Sequence, residues 1–159
     1  MSHSVTIRTQ TVTTNSTAIV INTGYLKTWS GILKFLQLAL GIVCVGIVGD
    51  HFDNYRHTTA DVFFLLITTT FMIGTSILLL SYLSSLSTSS IIPKTIYELF
   101  YHSIAFGLVL SAALTLLVQV NKTSNAKYEL LLAAAICGLV NSALYLLSTI
   151  IALRTYRTI

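Results

Sequence analysis

Charge is what this chain has least of: charged residues are 9% of its 159 residues, where a soluble domain carries about 25%. With a single proline and eight glycines, collagen-like and low-complexity chains are excluded. Two cysteines are too few for a secreted disulfide scaffold. No G-x-S-x-G, H-E-x-x-H, P-loop or C-x-x-C occurs, so neither soluble-type hydrolysis nor thiol oxidation has its residues. The net charge of +4 comes without a basic stripe interleaved with aromatics, which argues against a nucleic-acid partner. What is abundant is apolar surface, 54% hydrophobic residues and a mean hydropathy of +0.81. Lipid is the solvent such a chain calls for, and an all-α integral membrane protein is the class that remains.

The few charges divide the chain. Val62 to Pro93, Leu99 to Asn121 and Leu130 to Leu153 contain no Asp, Glu, Lys or Arg, and each is long enough to cross about 30 Å of hydrocarbon as a helix. A fourth run, Trp29 to Gly49, is interrupted by Lys34 and Gln37, but Lys34 lies near one end, where its stem can reach the interface. The sequence therefore predicts a four-helix transmembrane bundle with helices near 29–49, 62–83, 96–120 and 128–153, a Ser/Thr-rich tail over 1–28 and a short tail over 154–159. Residues 1–28 hold no apolar run, so the first helix is expected to direct insertion. Lys27, Lys34, Lys94, Arg154 and Arg157 outnumber Arg56, Lys122 and Lys127 across the bilayer, which predicts both termini in the cytosol. Tyr25, Trp29, Tyr82, Tyr97, Tyr101 and Tyr156 read as an aromatic belt at one interface, and Phe52, Tyr55, Phe63, Phe64 and Tyr128 as the other.

Small residues mark where helices approach one another in lipid. Ser103, Gly107, Ser111 and Thr115 recur every four residues on the third helix, and Ala134, Gly138 and Ser142 do so on the fourth, with Asn141 beside them. These ladders serve either packing inside the bundle or contact with a partner's helix. Glu98 and His102 share a face of the third helix, and Lys34 is expected at the same depth on the first. Two readings stand for that intramembrane cluster: an ion pair joining the two helices with His102 as an accessory, or a proton relay or transport site.

Other polar groups carry weaker patterns. Asp50, His51, Asp53, His57 and Asp61 offer oxygen and imidazole, but their spacing matches no closed metal site, so a hydrated connector and no metal are expected. Cys44 and Cys137 fall at comparable depth and are expected to pack as thiols. Asn121-Lys122-Thr123 is a glycosylation sequon on the outer side of the predicted topology, Asn15-Ser16-Thr17 one on the inner side. Tyr156 to Ile159 fits a tyrosine-based sorting signal, and the serines and threonines of Ser84 to Ser90 form a polar linker.

Claudins and tetraspanins are disfavoured by the missing loop tryptophan, paired cysteines and Cys-Cys-Gly. From Tyr25 to Arg154 the chain resembles a MARVEL domain of the chemokine-like-factor MARVEL transmembrane type, whose wider relatives include plasmolipin and the myelin-and-lymphocyte protein. The resemblance rests on Tyr25-Leu26-Lys27 leading into Gly31, Leu33-Lys34 and Gln37, on Ile92-Pro93, and on Leu99 to Leu117 and Ala133 to Ala152 with Gly138 and Tyr145. It implies a tetraspan protein without enzymatic activity or cofactor that organises membrane domains, travels in vesicles and supports the surface level of other membrane proteins. The partners it implies are membrane lipids, including sterol-rich domains, other integral membrane proteins, and further copies of the chain. Some relatives carry outer-loop cysteines that this chain lacks. A small transporter or channel subunit, using Lys34, Glu98 and His102, and a structural component of cell junctions or stacked membranes are the alternatives.

Overall fold

The computed structural model describes residues 23–54, 58–84, 92, 95–122 and 128–158. Four long helices carry the fold: α1 Trp29–Asn54, α2 Thr59–Ser84, α3 Ile96–Lys122 and α4 Tyr128–Arg157. A short 3-10 turn, Thr23–Lys27, precedes them. At about 1.5 Å per residue, 26 to 30 residues give helices of about 39–45 Å, longer than the hydrocarbon they must cross. All four are apolar enough to span a membrane.

Each helix runs further than its charge-free segment. α1 continues through Asp50 and His51 to Asn54, and α4 through Arg154 to Arg157, because helical hydrogen bonding does not stop where the lipid does. The expected connector from Asp50 to Asp61 thereby loses residues at both ends to helix. Asp61 belongs to a helix start: Thr58 N donates to Asp61 Oδ2 at 2.7 Å, and Asp61 N donates to Thr58 Oγ1 at 3.4 Å, a reciprocal cap at the head of α2. Thr28 caps α1 by accepting from Gly31 N at 3.1 Å. Asp53 and His57, like Asn15 and the linker serines beyond Ser84, have side chains outside the described residues.

The helices form a ring in which α1 packs on α2, α2 on α3, α3 on α4 and α4 back on α1, with α3 and α4 the most extensive pair. α1 and α3 are therefore diagonal, as are α2 and α4. Buried positions on α1 (Lys34, Gln37, Gly41, Cys44, Val48), on α2 (Phe64, Thr68, Phe71, Thr75, Leu78, Tyr82) and on α3 (Glu98, His102, Ala105, Val109, Ala112, Leu116, Val120) alternate in steps of three and four, the spacing of left-handed bundles. The outer surface is apolar: Trp29, Phe35, Leu66, Leu80 and Phe100 are all more than half exposed, an arrangement that only lipid tolerates across such an area.

The interior changes character along its length. At the end where α2 and α4 begin, Cys44, Val48, Phe64, Ala112, Ala113, Leu116, Val120, Ala134 and Ala135 make an apolar cluster. The end where α1 begins and α4 finishes holds the buried Lys34, Gln37, Glu98, His102 and Ser148. Phe64, read from sequence as an interfacial aromatic, is completely buried in the apolar cluster, since its face of α2 points to the axis. Cys44 and Cys137 are free thiols.

Candidate functional site: a buried polar cluster and an outward helix face

Lys34 sits five residues into α1 and is fully buried. Its ammonium donates to Glu98 Oε1 at 2.5 Å and to Ser30 Oγ at 2.7 Å, so a pair across the diagonal joins α1 to α3. Tyr82, at the end of α2, donates its hydroxyl to Glu98 Oε2 at 2.8 Å. Both carboxylate oxygens are thus engaged by groups from other helices, which is what makes a buried carboxylate tolerable. Over the pair lie two rings: Tyr25 stacks on Tyr82 at 4.5 Å between centroids, and Lys34 Nζ is 5.0 Å from the Tyr82 centroid and 5.9 Å from that of Tyr25, within cation–π range. Tyr25 OH and Ser30 Oγ are 3.2 Å apart, so the 3-10 turn is fastened to the same cluster.

One turn deeper, His102 is completely enclosed. Its Nε2 approaches Glu98 Oε1 to 3.5 Å without hydrogen-bond geometry, and neither ring nitrogen has a hydrogen-bond partner. Tyr101 and Tyr145 flank it at 5.2 and 5.9 Å between ring centroids. Those tyrosines meet Thr75 of α2, whose hydroxyl lies 3.0 Å from Tyr101 OH and 2.8 Å from Tyr145 OH; both phenols also donate to the Phe71 carbonyl, at 3.2 and 3.4 Å. The contact from Thr75 to Tyr145 spans the other diagonal. A third link, Gln37 Nε2 donating to Ser148 Oγ at 2.8 Å, ties α1 to its neighbour α4.

Lys34, Glu98 and His102 are therefore brought together at one depth. Sequence reasoning missed Tyr25, Tyr82 and Tyr101 as members of the interior, assigning them to an interfacial belt. Tyr25 and Tyr82 are buried and Tyr101 half-buried, because their hydroxyls find partners inside the bundle. Trp29, Tyr97 and Tyr156 stay exposed. The available signal was an excess of tyrosine within spans, where each phenolic hydroxyl needs a partner.

The two small-residue ladders separate. On α4, Ala134, Gly138 and Ser142 face inward, and a Cβ on Gly138 would stand 2.7 Å from Phe64 Cε2 and 3.1 Å from Ala113 Cβ. That face is occupied by the bundle itself, the packing alternative of the two open for this ladder. On α3, Gly107, Ser111 and Thr115 are exposed and Ser103 half-exposed, and a Cβ on Gly107 would meet nothing within 4 Å. This ladder does not pack the bundle, because α3 turns the other side, Ala105, Val109, Ala112 and Leu116, toward the axis. Its hydroxyls donate to carbonyls one turn back: Ser103 to Leu99, Ser111 to Gly107 and Thr115 to Ser111, which satisfies them in lipid.

Asn121 is exposed in the last turn of α3, and Thr123 of its sequon lies outside the described residues. Tyr156 is exposed within the last turn of α4, so it sits on a helix, while Ile159 lies outside the described residues. Among the described residues, no group of three or more His, Cys, Asp or Glu could hold a metal ion.

A ring of four membrane-length helices, apolar outside and cross-linked inside by buried polar contacts, defines a multi-pass, four-span membrane protein. Residues 25–151 match the family model MARVEL, described as a membrane-associating domain, and the chain belongs to that family. The match begins at Tyr25, the residue that docks the 3-10 turn onto Tyr82. Comparison with curated proteins and with solved structures gives no match.

Proposed function

We propose that this protein is a non-enzymatic organiser of membrane domains that holds other membrane proteins by lateral helix contact, supporting their traffic in vesicles or their stability at the plasma membrane. The observation that carries the reading is the outward small-residue face of α3. Small residues at spacing four let a second helix approach closely, and in lipid such approach is a main source of association. The face is accessible and its hydroxyl hydrogens are already satisfied, so a partner meets small side chains around Gly107 rather than unpaired polar groups. With helices filling nearly all the described chain, the membrane is where recognition takes place. Membership of a membrane-associating family supports the same reading. In this proposal both termini lie in the cytosol, and lipids, other integral membrane proteins and further copies of the chain are the partners.

The test is recovery of neighbours from intact cells. Proteins that co-purify with the wild type in mild detergent are expected to be lost from Gly107→Leu and retained by Leu108→Ala, which alters the adjoining lipid-facing surface. Unchanged recovery with Gly107→Leu counts against the reading.

A further inference from the structure

We propose that His102 is a second cation site for Glu98: when its imidazole takes up a proton, the imidazolium engages the same carboxylate oxygen that Lys34 holds in the structure. The polar groups of the cluster are unevenly matched. Lys34, Glu98, Tyr82, Tyr101 and Tyr145 each have hydrogen-bond partners, whereas His102, fully enclosed among them, has none on either nitrogen. Polar groups left unmatched inside a bundle are rare and need a reason.

The geometry supplies one. Glu98 Oε2 is held by Tyr82, so the carboxylate is fixed, and Oε1 faces Lys34 Nζ at 2.5 Å and His102 Nε2 at 3.5 Å. A contraction of about 0.6–0.8 Å, with a turn of the ring that aims the N–H at the oxygen, makes the second contact a charge-assisted hydrogen bond. The aromatic rings of Tyr101 and Tyr145 beside the imidazole suit a cation. Lys34 has somewhere to go: Ser30 Oγ already accepts from it, and the faces of the Tyr82 and Tyr25 rings lie against it. Among the described residues, Glu98 and Tyr101 from α3 and Tyr145 from α4 lie against His102, and Lys34 from α1 and Tyr82 from α2 hold the carboxylate it approaches. There is one carboxylate for two basic groups, so the sites compete. The proton comes from water and binds the imidazole, and no electron pair changes owner beyond that N–H bond. Because Lys34 on α1 is what holds Glu98 on α3, the exchange loosens α1 from α3 beside the 3-10 turn, whose Tyr25 stacks on Tyr82 and meets Ser30.

The experiment uses the full chain in lipid nanodiscs, labelled with nitrogen-15 in the imidazoles of its four histidines, with His102→Gln identifying the signal. In Lys34→Met the proposal expects a folded protein whose His102 is cationic at about pH 7, because the imidazolium replaces the missing ammonium. In the wild type the same signal is expected to turn from neutral to cationic as the pH is lowered into the acid range, together with a shift in the emission of Trp29, the chain's single tryptophan. A neutral His102 in folded Lys34→Met overturns the proposal, and so does a Lys34→Met that fails to fold while Lys34→Met/Glu98→Gln folds. If neither variant folds, the wild-type titration decides: a signal that stays neutral throughout overturns it, and one that turns cationic with the Trp29 shift upholds it.

Discussion

Glu98 is the residue on which Lys34, Tyr82 and His102 converge, and its removal has an asymmetric effect. Glu98→Leu leaves Lys34 buried beside Ser30 and two rings with no counter-charge, which is expected to cost about 3–5 kcal/mol. The double change Lys34→Met/Glu98→Leu removes both charges and is expected to be the less damaging of the two. Unfolding in mixed micelles measures both; a double variant as unstable as Glu98→Leu would show that the pair is not the coupled unit. Thr75→Val removes only neutral contacts, to Tyr101 and Tyr145. Hydrogen bonds of this kind inside membranes average about 0.6 kcal/mol, so a loss of about 1 kcal/mol is expected. The ion pair outweighs the phenol cluster. Lys34, Glu98 and His102 could be read from sequence because depth along a helix follows from residue number. Tyr82 and Tyr145 as partners could not, since their contacts depend on how each helix is rotated about its axis.

At the scale of the element, that rotation is what apolar helices conceal. Both faces of α3 carry small residues: Ala105, Ala112 and Ala113 inside, Gly107, Ser111 and Thr115 outside. Hydropathy cannot distinguish a lipid-facing leucine from a core leucine, so the charge gaps reveal where the helices are and not which way they face. The starts of α1, α3 and α4 at Trp29, Ile96 and Tyr128 coincide with the residues expected from sequence. The ends do not, because polar residues such as Asp50 and Arg154 continue a helix outside the hydrocarbon. The two glycines separate stability from association. Gly138→Leu forces a side chain into Phe64 and Ala113 and is expected to lose about 1–3 kcal/mol or more, while Gly107→Leu is expected to stay within about 0.5 kcal/mol of wild type. Thermal unfolding in the same detergent compares them directly; equal losses would mean that α3 is turned differently.

For the whole molecule, two diagonals, Lys34 with Glu98 where α1 begins and Thr75 with Tyr145 nearer mid-bundle, close a ring of four helices, and an apolar cluster fills the end where α2 and α4 begin. A ring closed in this way keeps its inner faces to itself and offers other proteins only its outside. The number of spans was legible in the sequence, as was the family resemblance over nearly the whole membrane part. The orientation proposed here predicts that protease added outside sealed cells spares tags at both termini. The central claim, that α3 presents its small-residue face to neighbours in the bilayer, is tested most directly by a photo-crosslinking residue placed singly along α3 in native membranes. Adducts with other proteins are predicted at Gly107, Ser111 and Thr115 and none at Val109, Ala112 or Leu116. Adducts spread evenly around the helix, or confined to the Val109, Ala112 and Leu116 side, would contradict the account.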